Sequence, residues 1–442
     1  MILRDPVHGL VAFEGPAERV VAALLATREM QRLRRVRQLG LTSLVFPGAE
    51  HSRFSHAIGA GHVMVLLQQR ILACQSDLPA AERMDGQAAA DALAAALLHD
   101  LGHGPFSHLY EDVLPDARHH ESWTAEAVRD DATDVHRTLE ALDPGMSERV
   151  ASLLSGSYRL GYLGRAVSGT LDVDRCDYLL RDSHMTGVRY GLYDLDWLLR
   201  ALSFDRTPAG EHVLAIEGRK GLPPIEGFFL GRHFMYRQVY HHKATRAAEF
   251  LIRAIFVRMG ELVREGNAPS PIPRALEAAA RGEPTSLPDY LDLDDTQLVY
   301  CFAQWQRGAD PALADLCTRL RARDLPKTVP LPEGEGARAV REEAYARACD
   351  VAARRGLRPE LSVWLDVTSD IPYAEPDDDA AEGLWVSIRH QRIRRLGDIS
   401  FLLGELRNKR IDSSRLIFAA ELRDDVVSAI AGGCSGLAEG ES

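Results

Sequence analysis

The strongest hydrophobic pattern in the chain lies in residues 93–108, LAAALLHDLGHGPFSH. Leu93, Leu97 and Leu101 recur at helical spacing in an alanine-rich run, which predicts a buried helix stopped by Gly102, Gly104 and Pro105. Residues 1–15 read as an extended segment with a turn at Asp5-Pro6. Residues 27–39, TREMQRLRRVRQL, predict a helix crowded with arginines, and a solvated charged face is its simplest account. A helix follows through Val63, Leu66, Leu67 and Ile71, and another over 122–128. Residues 171–182, LDVDRCDYLLRD, predict a two-faced helix, with Asp174, Arg175, Tyr178 and Asp182 as a polar stripe and Val173, Cys176 and Leu180 opposite. Residues 213–216 suggest a strand, and 227–256 one long helix with Arg232, Tyr236, Tyr240 and Lys243 along one side.

Past Arg264 the texture changes. Pro/Gly-rich connectors at 267–273 and 325–336 separate predicted helices at 290–305 and 337–353. Strands are expected at 362–367, 384–388 and 416–420, with an acidic turn at 377–379 and a small, polar tail from Gly432. The pattern as a whole predicts a mainly α protein. A helical domain is expected over 1–265, and a small mixed α+β lobe serving assembly or regulation over 266–442.

Composition narrows the function classes. An apolar fraction of 46% over 442 residues is that of an ordinary globular chain. The six cysteines are scattered without a CxxC pair, which argues against zinc ribbons and disulfides and fits a reducing, cytoplasmic setting. No signal sequence is expected, and no apolar run reads as long enough to cross a bilayer. The net charge of −12 argues against broad nucleic-acid binding, although a local basic pocket can still take a phosphorylated small molecule. A serine or cysteine nucleophile has no support: there is no GxSxG elbow, and Cys176 sits on the apolar side of its helix.

The candidate chemistry begins where the alanine-rich helix stops. His99-Asp100 puts an imidazole and a carboxylate side by side at the end of an apolar run; burying that carboxylate is costly unless a cation or donor meets it, and a metal ion is the simplest such partner. His56 and Asp174, each from a separate predicted helix, complete an ordered H…HD…D set. Two imidazoles with two carboxylates make a borderline-hard site suited to a divalent manganese, iron, zinc or magnesium ion.

HDLGHGPFSH resembles the signature of HD-domain phosphohydrolases. More narrowly, it resembles the deoxynucleoside triphosphate triphosphohydrolases of the sterile-alpha-motif-and-HD-domain type and their bacterial relatives. DPVHG, QRLRRVRQLG, VFPGAEHSRFSH, DVDRCDYLLRD and the Arg232 to Lys243 segment are similar to family segments, in family order, from about residue 3 to residue 255. The resemblance implies an HD-domain helical core with His56, His99, Asp100 and Asp174 as metal ligands. It puts His103, His108 and His120 around the reacting phosphate, with His108 as the acid for the departing 5′-oxygen. Glu111 stands where the family has an aspartate paired with the His120-type histidine. Arg53, Arg232 and Arg175, the last replacing a family lysine, are implied as phosphate contacts. Gln38, Tyr178 and Asp182 are implied at the 3′-hydroxyl, and Leu39 and Tyr240 against the sugar, where a 2′-hydroxyl would clash. Tyr236 and His241 replace a histidine and a glutamine of the animal enzyme, which points to a different base preference. Ala26 replaces an acidic residue that reads an activating guanine nucleotide there, while Gln31 and Arg34 remain as a regulatory nucleotide site. The implied activity is metal-dependent cleavage of a dNTP to deoxynucleoside and inorganic triphosphate, in a homo-oligomer. Two other readings stand beside it: hydrolysis of a monophosphate, cyclic nucleotide or short oligonucleotide at the same site, and a non-catalytic nucleotide- or nucleic-acid-binding scaffold.

Overall fold

The structure is a computed structural model and describes residues 1–106, 109–113, 118–376, 383–388 and 392–431. His108, the acidic turn at 377–379 and the tail from Gly432 lie outside the described residues.

The fold is mainly α, with three small sheets of two, four and three strands among the described residues. At its centre the Arg53–Cys74 helix packs between Gly86–Leu98 and Val173–Thr186. Local sequence explains where each of these starts. Ser52, Asp85 and Asp172 are N-caps whose side chains accept from the backbone N–H groups of Ser55, Ala88 and Arg175. Small residues let the helices approach closely: a Cβ on Gly59 would run into the Asp177 carboxylate and the Arg181 guanidinium.

The arginine-rich segment is not one solvated helix. It forms Arg28–Arg32, then a 3₁₀ turn at Leu33–Arg35, and turns extended at Val36 so that Arg37 can bridge Ser52. Arg32 is fully buried, and its guanidinium donates to the carbonyls of Leu293, Leu101 and His103. The long helix expected over 227–256 is likewise interrupted. Leu222–Met235 widens into a π-helical turn at Tyr236–Tyr240, breaks at His241-His242, and resumes as Lys243–Arg264. The helix expected over 290–305 splits into Leu287–Asp292 and Asp295–Trp305, with Asp294 capping the second piece. The membrane expectation also needs correction. Residues Arg53–Asp77 reach a mean hydropathy of 1.3 over an 18-residue window and are long enough to span, but 61% of that window is buried inside this protein as its central helix.

Residues of 274–322 share the main apolar core: Leu276, Tyr290, Phe302 and Trp305 pack with the helical body. A second apolar cluster lies under the antiparallel sheet Lys327–Pro330, Ile411–Phe418 and Val363–Asp370, covered by Arg338–Arg354 and Arg423–Ala431. The strand at Trp385–Ser387 joins a different sheet, pairing parallel to His212–Glu217 through Ile216 and Val386.

Candidate metal centre and active site

Three helices bring the ordered set together. His56 Nε2 lies 3.2 Å from His99 Nε2 and 3.0 Å from Asp174 Oδ1, and His99 Nε2 lies 3.4 Å from the same oxygen. His56, His99 and Asp174 are close enough to share one ion, and Asp100 lies beside them, with Oδ1 3.5 Å from His99 Nε2 and Oδ2 3.9 Å from His56 Nε2. The outer hydrogen bonds fix what these atoms are. His99 Nδ1 donates to the Ala96 carbonyl at 2.9 Å, and His56 Nδ1 donates to Asp177 at 2.8 Å. Nδ1 of each ring is thus engaged from outside and Nε2 is the atom turned inward, a lone pair whenever the ring is neutral. With both rings neutral, two Nε2 lone pairs beside the Asp174 and Asp100 carboxylates make a donor set that suits a divalent cation. The same field acts on protons: burial opposes the His56 imidazolium, yet the Asp174 and Asp177 carboxylates push its pKa up to about 10. Burial likewise opposes the charge on His99, and Asp100 and Asp174 raise its pKa. Burial works against ionised Asp100, but Arg53, His99 and His103 hold its pKa well below the usual carboxylate range.

Beside this centre, Arg53 pairs with Asp100, and His103 donates from Nε2 to the other Asp100 oxygen at 3.2 Å. Burial and the Arg53 charge drive the His103 pKa well down, so its ring is neutral at neutral pH. His103 stacks on His120 with ring centroids 3.7 Å apart, and His120 Nδ1 meets Glu111 at 3.1 Å. Glu111 also accepts the His120 backbone N–H, so the longer carboxylate side chain still reaches its histidine. His103, Glu111 and His120 form a second group close enough to share an ion. The HD turn itself is tied down from behind by Thr124, which accepts from Gly102 N, and by Tyr290, whose hydroxyl donates to Gly102 O.

A cavity of about 420 Å³ opens on this centre, within the roughly 300–1,000 Å³ of small-molecule sites. Arg53, Asp100, His103, His120 and Asp174 line it. So do Gln38, Leu39, Tyr178, Asp182 and Tyr240, together with Tyr236, His241 and the Arg246–Glu249 ion pair. Asp182 is held on both oxygens, by His51 Nε2 at 2.8 Å and by the Tyr240 hydroxyl at 2.7 Å. Burial and the nearby Arg246 lower the His241 pKa to about 4.

Two of the expected phosphate contacts, Arg175 and Arg232, do not line this cavity, although the Arg232 guanidinium lies 4.8 Å from the centre of the Tyr236 ring, which does. Arg175 donates to Asp172 and the Gly169 carbonyl, and Arg232 donates to Asp370 and to the carbonyls of Ile371 and Pro372. Both line a neighbouring cavity of about 400 Å³ with Arg165, because each guanidinium is drawn to a buried carboxylate on that side. Gln31 and Arg34 hydrogen-bond each other at 2.8 Å, with Arg34 over the Phe54 ring. His8, His51, Asp177 and Arg181 were not singled out by sequence reasoning. A charged pair at i, i+4 on the apolar side of the 173–186 helix is the signal that could have exposed Asp177 and Arg181.

Fold and site together define an HD-domain hydrolase. The HD-domain pattern matches residues 53–153, and the chain belongs to the HD-domain phosphohydrolase family. It is 32% identical over 424 residues to the uncharacterized protein YwfO of Bacillus subtilis, with 95% of this chain and 92% of that one aligned. It is 31% identical over 274 residues to the deoxynucleoside triphosphate triphosphohydrolase SAMHD1 homolog of Dictyostelium discoideum, matching 60% of this chain and 50% of that protein. Against SAMHD1 of Danio rerio the identity is 29%, over 58% of this chain and 44% of that one, so the chain spans about half the length of these two relatives. The crystal structure of a phosphohydrolase from Bacteroides thetaiotaomicron is similar at a TM-score of 0.77 and 26% identity, covering 95% of this chain and 99% of that one.

Proposed function

We propose that the protein is a metal-dependent deoxynucleoside triphosphate triphosphohydrolase, releasing deoxynucleoside and inorganic triphosphate. The observation that carries this reading is the single cavity joining the His/Asp cluster to the recess formed by Gln38, Leu39, Tyr178, Asp182 and Tyr240. His56, His99, Asp100 and Asp174 would hold a divalent ion, which would supply Lewis-acid polarisation and a more acidic water. The chain's own groups do the rest. Arg53 meets the negative charge of the α-phosphate as it grows. Glu111 orients His120, which moves a proton as a general acid–base group. Asp182, fixed by His51 and Tyr240, accepts from the 3′-hydroxyl, and the Leu39 and Tyr240 side chains exclude a 2′-hydroxyl. His108 is kept as the acid for the departing 5′-oxygen. A cytoplasmic homo-oligomer and a regulatory nucleotide at Gln31 and Arg34 belong to the same proposal.

A panel of dNTPs, rNTPs, monophosphates and cyclic nucleotides, with added manganese and with or without GTP, tests it. Turnover of dNTPs well ahead of rNTPs is expected. Turnover of monophosphates or cyclic nucleotides alone would move the protein to another branch of HD chemistry.

A further inference from the structure

The DPVHG turn, between the strands Ile2–Asp5 and Gly9–Ala12, plays no part in the reading above. Its geometry gives it one. Asp5 Oδ1 accepts from the backbone of Val7 and His8, both at 2.9 Å, and Asp5 Oδ2 accepts from Arg181 at 2.9 Å. The turn so folded presents His8 Nε2 to Asp177 Oδ1 at 2.6 Å. Arg181 donates to both oxygens of Asp177, at 2.7 and 2.9 Å, and His56 Nδ1 donates to Oδ2 at 2.8 Å. Asp177 thus receives two donors on each oxygen, which fills its acceptor capacity. The side chains of Asp177, Arg181 and His56 are wholly buried.

We propose that His8 is a positioning residue for the divalent-cation site, acting through Asp177 on His56. A carboxylate that accepts from the ring N–H of a ligating histidine fixes its tautomer and orientation and raises the basicity of the nitrogen turned to the metal. Loss of His8 removes one of four donors from a fully buried carboxylate, and Asp177 can then shift away from the position that aims His56. The inference rests on the metal reading of the site.

The test titrates metal-stripped full-length protein with Co(II) against a competing chelator, read by visible absorption, which also reports ligand geometry. His8→Ala is expected to bind about 10-fold or more weakly than wild type, with an altered Co(II) spectrum. His8→Gln, whose amide N–H can take the place of Nε2, is expected to recover most of the affinity. Melting of the metal-stripped forms runs alongside. A lower melting temperature with unchanged Co(II) affinity would make His8 merely structural and overturn the inference while sparing the metal reading. Failure of wild type to bind Co(II) would overturn both. Should His8→Ala not fold, Asp177→Asn carries the same comparison: weakening of about 10-fold or more supports the inference, and unchanged affinity overturns it.

Discussion

His56, His99 and Asp174 gather close enough to share one divalent cation, with Asp100 beside them. Replacing His99 and Asp100 together by alanine is expected to abolish bound metal, by elemental analysis, and hydrolysis in the same step. Two other histidines, His241 and His62, give a pH signature. His241 titrates at about 4 in the folded protein against 6.5 for a free imidazole, and burial lowers the His62 pKa in the same direction. Below 6.5 the unfolded chain takes up protons that the folded one refuses, so stability falls as pH drops from about 6.5 toward 4. Denaturant midpoints across that window should show the slope, and His241→Gln should flatten it. Single residues were unevenly legible. The metal ligands stand in an ordered motif whose chemistry needs all its parts. Asp177 and Arg181 escaped notice because they lie among apolar neighbours, where pattern reading expects packing rather than charge. Arg175 and Arg232 were legible as cations, but their direction depends on Asp172 and Asp370, which sequence reasoning did not connect to them.

At the scale of elements, the alanine-rich helix and the 173–186 helix follow from periodicity and caps. The interruptions did not. A π-helical turn at Tyr236–Tyr240 has no residue signature, and the break after Arg32 answers a tertiary demand: its guanidinium serves the carbonyls of Leu101, His103 and Leu293. Arg32→Met should therefore cost about 1–3 kcal/mol for each buried carbonyl left without a donor, seen as a lower denaturant midpoint. Gly59→Ala should also destabilise, by roughly 1–3 kcal/mol, because the added methyl meets Asp177 and Arg181. The same variant should bind metal more weakly, since those groups support His56.

For the whole molecule, the helices after residue 265 bear directly on the site. Tyr290 donates to Gly102 O at 2.7 Å and stacks on Trp123, while Asp295 accepts from the backbone of Arg37 and Phe106. A chain ending at residue 265 should expose the apolar surface under Tyr290 and Phe302 and bind a hydrophobic dye, whereas an independent domain would stay compact and monodisperse. The hydrogen bonds among these contacts join positions more than 180 residues apart, which is why periodicity could recover the helices and not their partners. The same holds for the Trp385–Ser387 strand, legible as a strand but paired with distant Ile216. The central claim is that hydrolysis breaks the bond between the α-phosphorus and the 5′-oxygen of a dNTP. Turnover of a dNTP by the manganese-loaded protein in H₂¹⁸O, followed by mass spectrometry of the products, tests it most directly. The account predicts one ¹⁸O atom in inorganic triphosphate and none in the deoxynucleoside; label in the deoxynucleoside, or release of pyrophosphate and monophosphate, would contradict it.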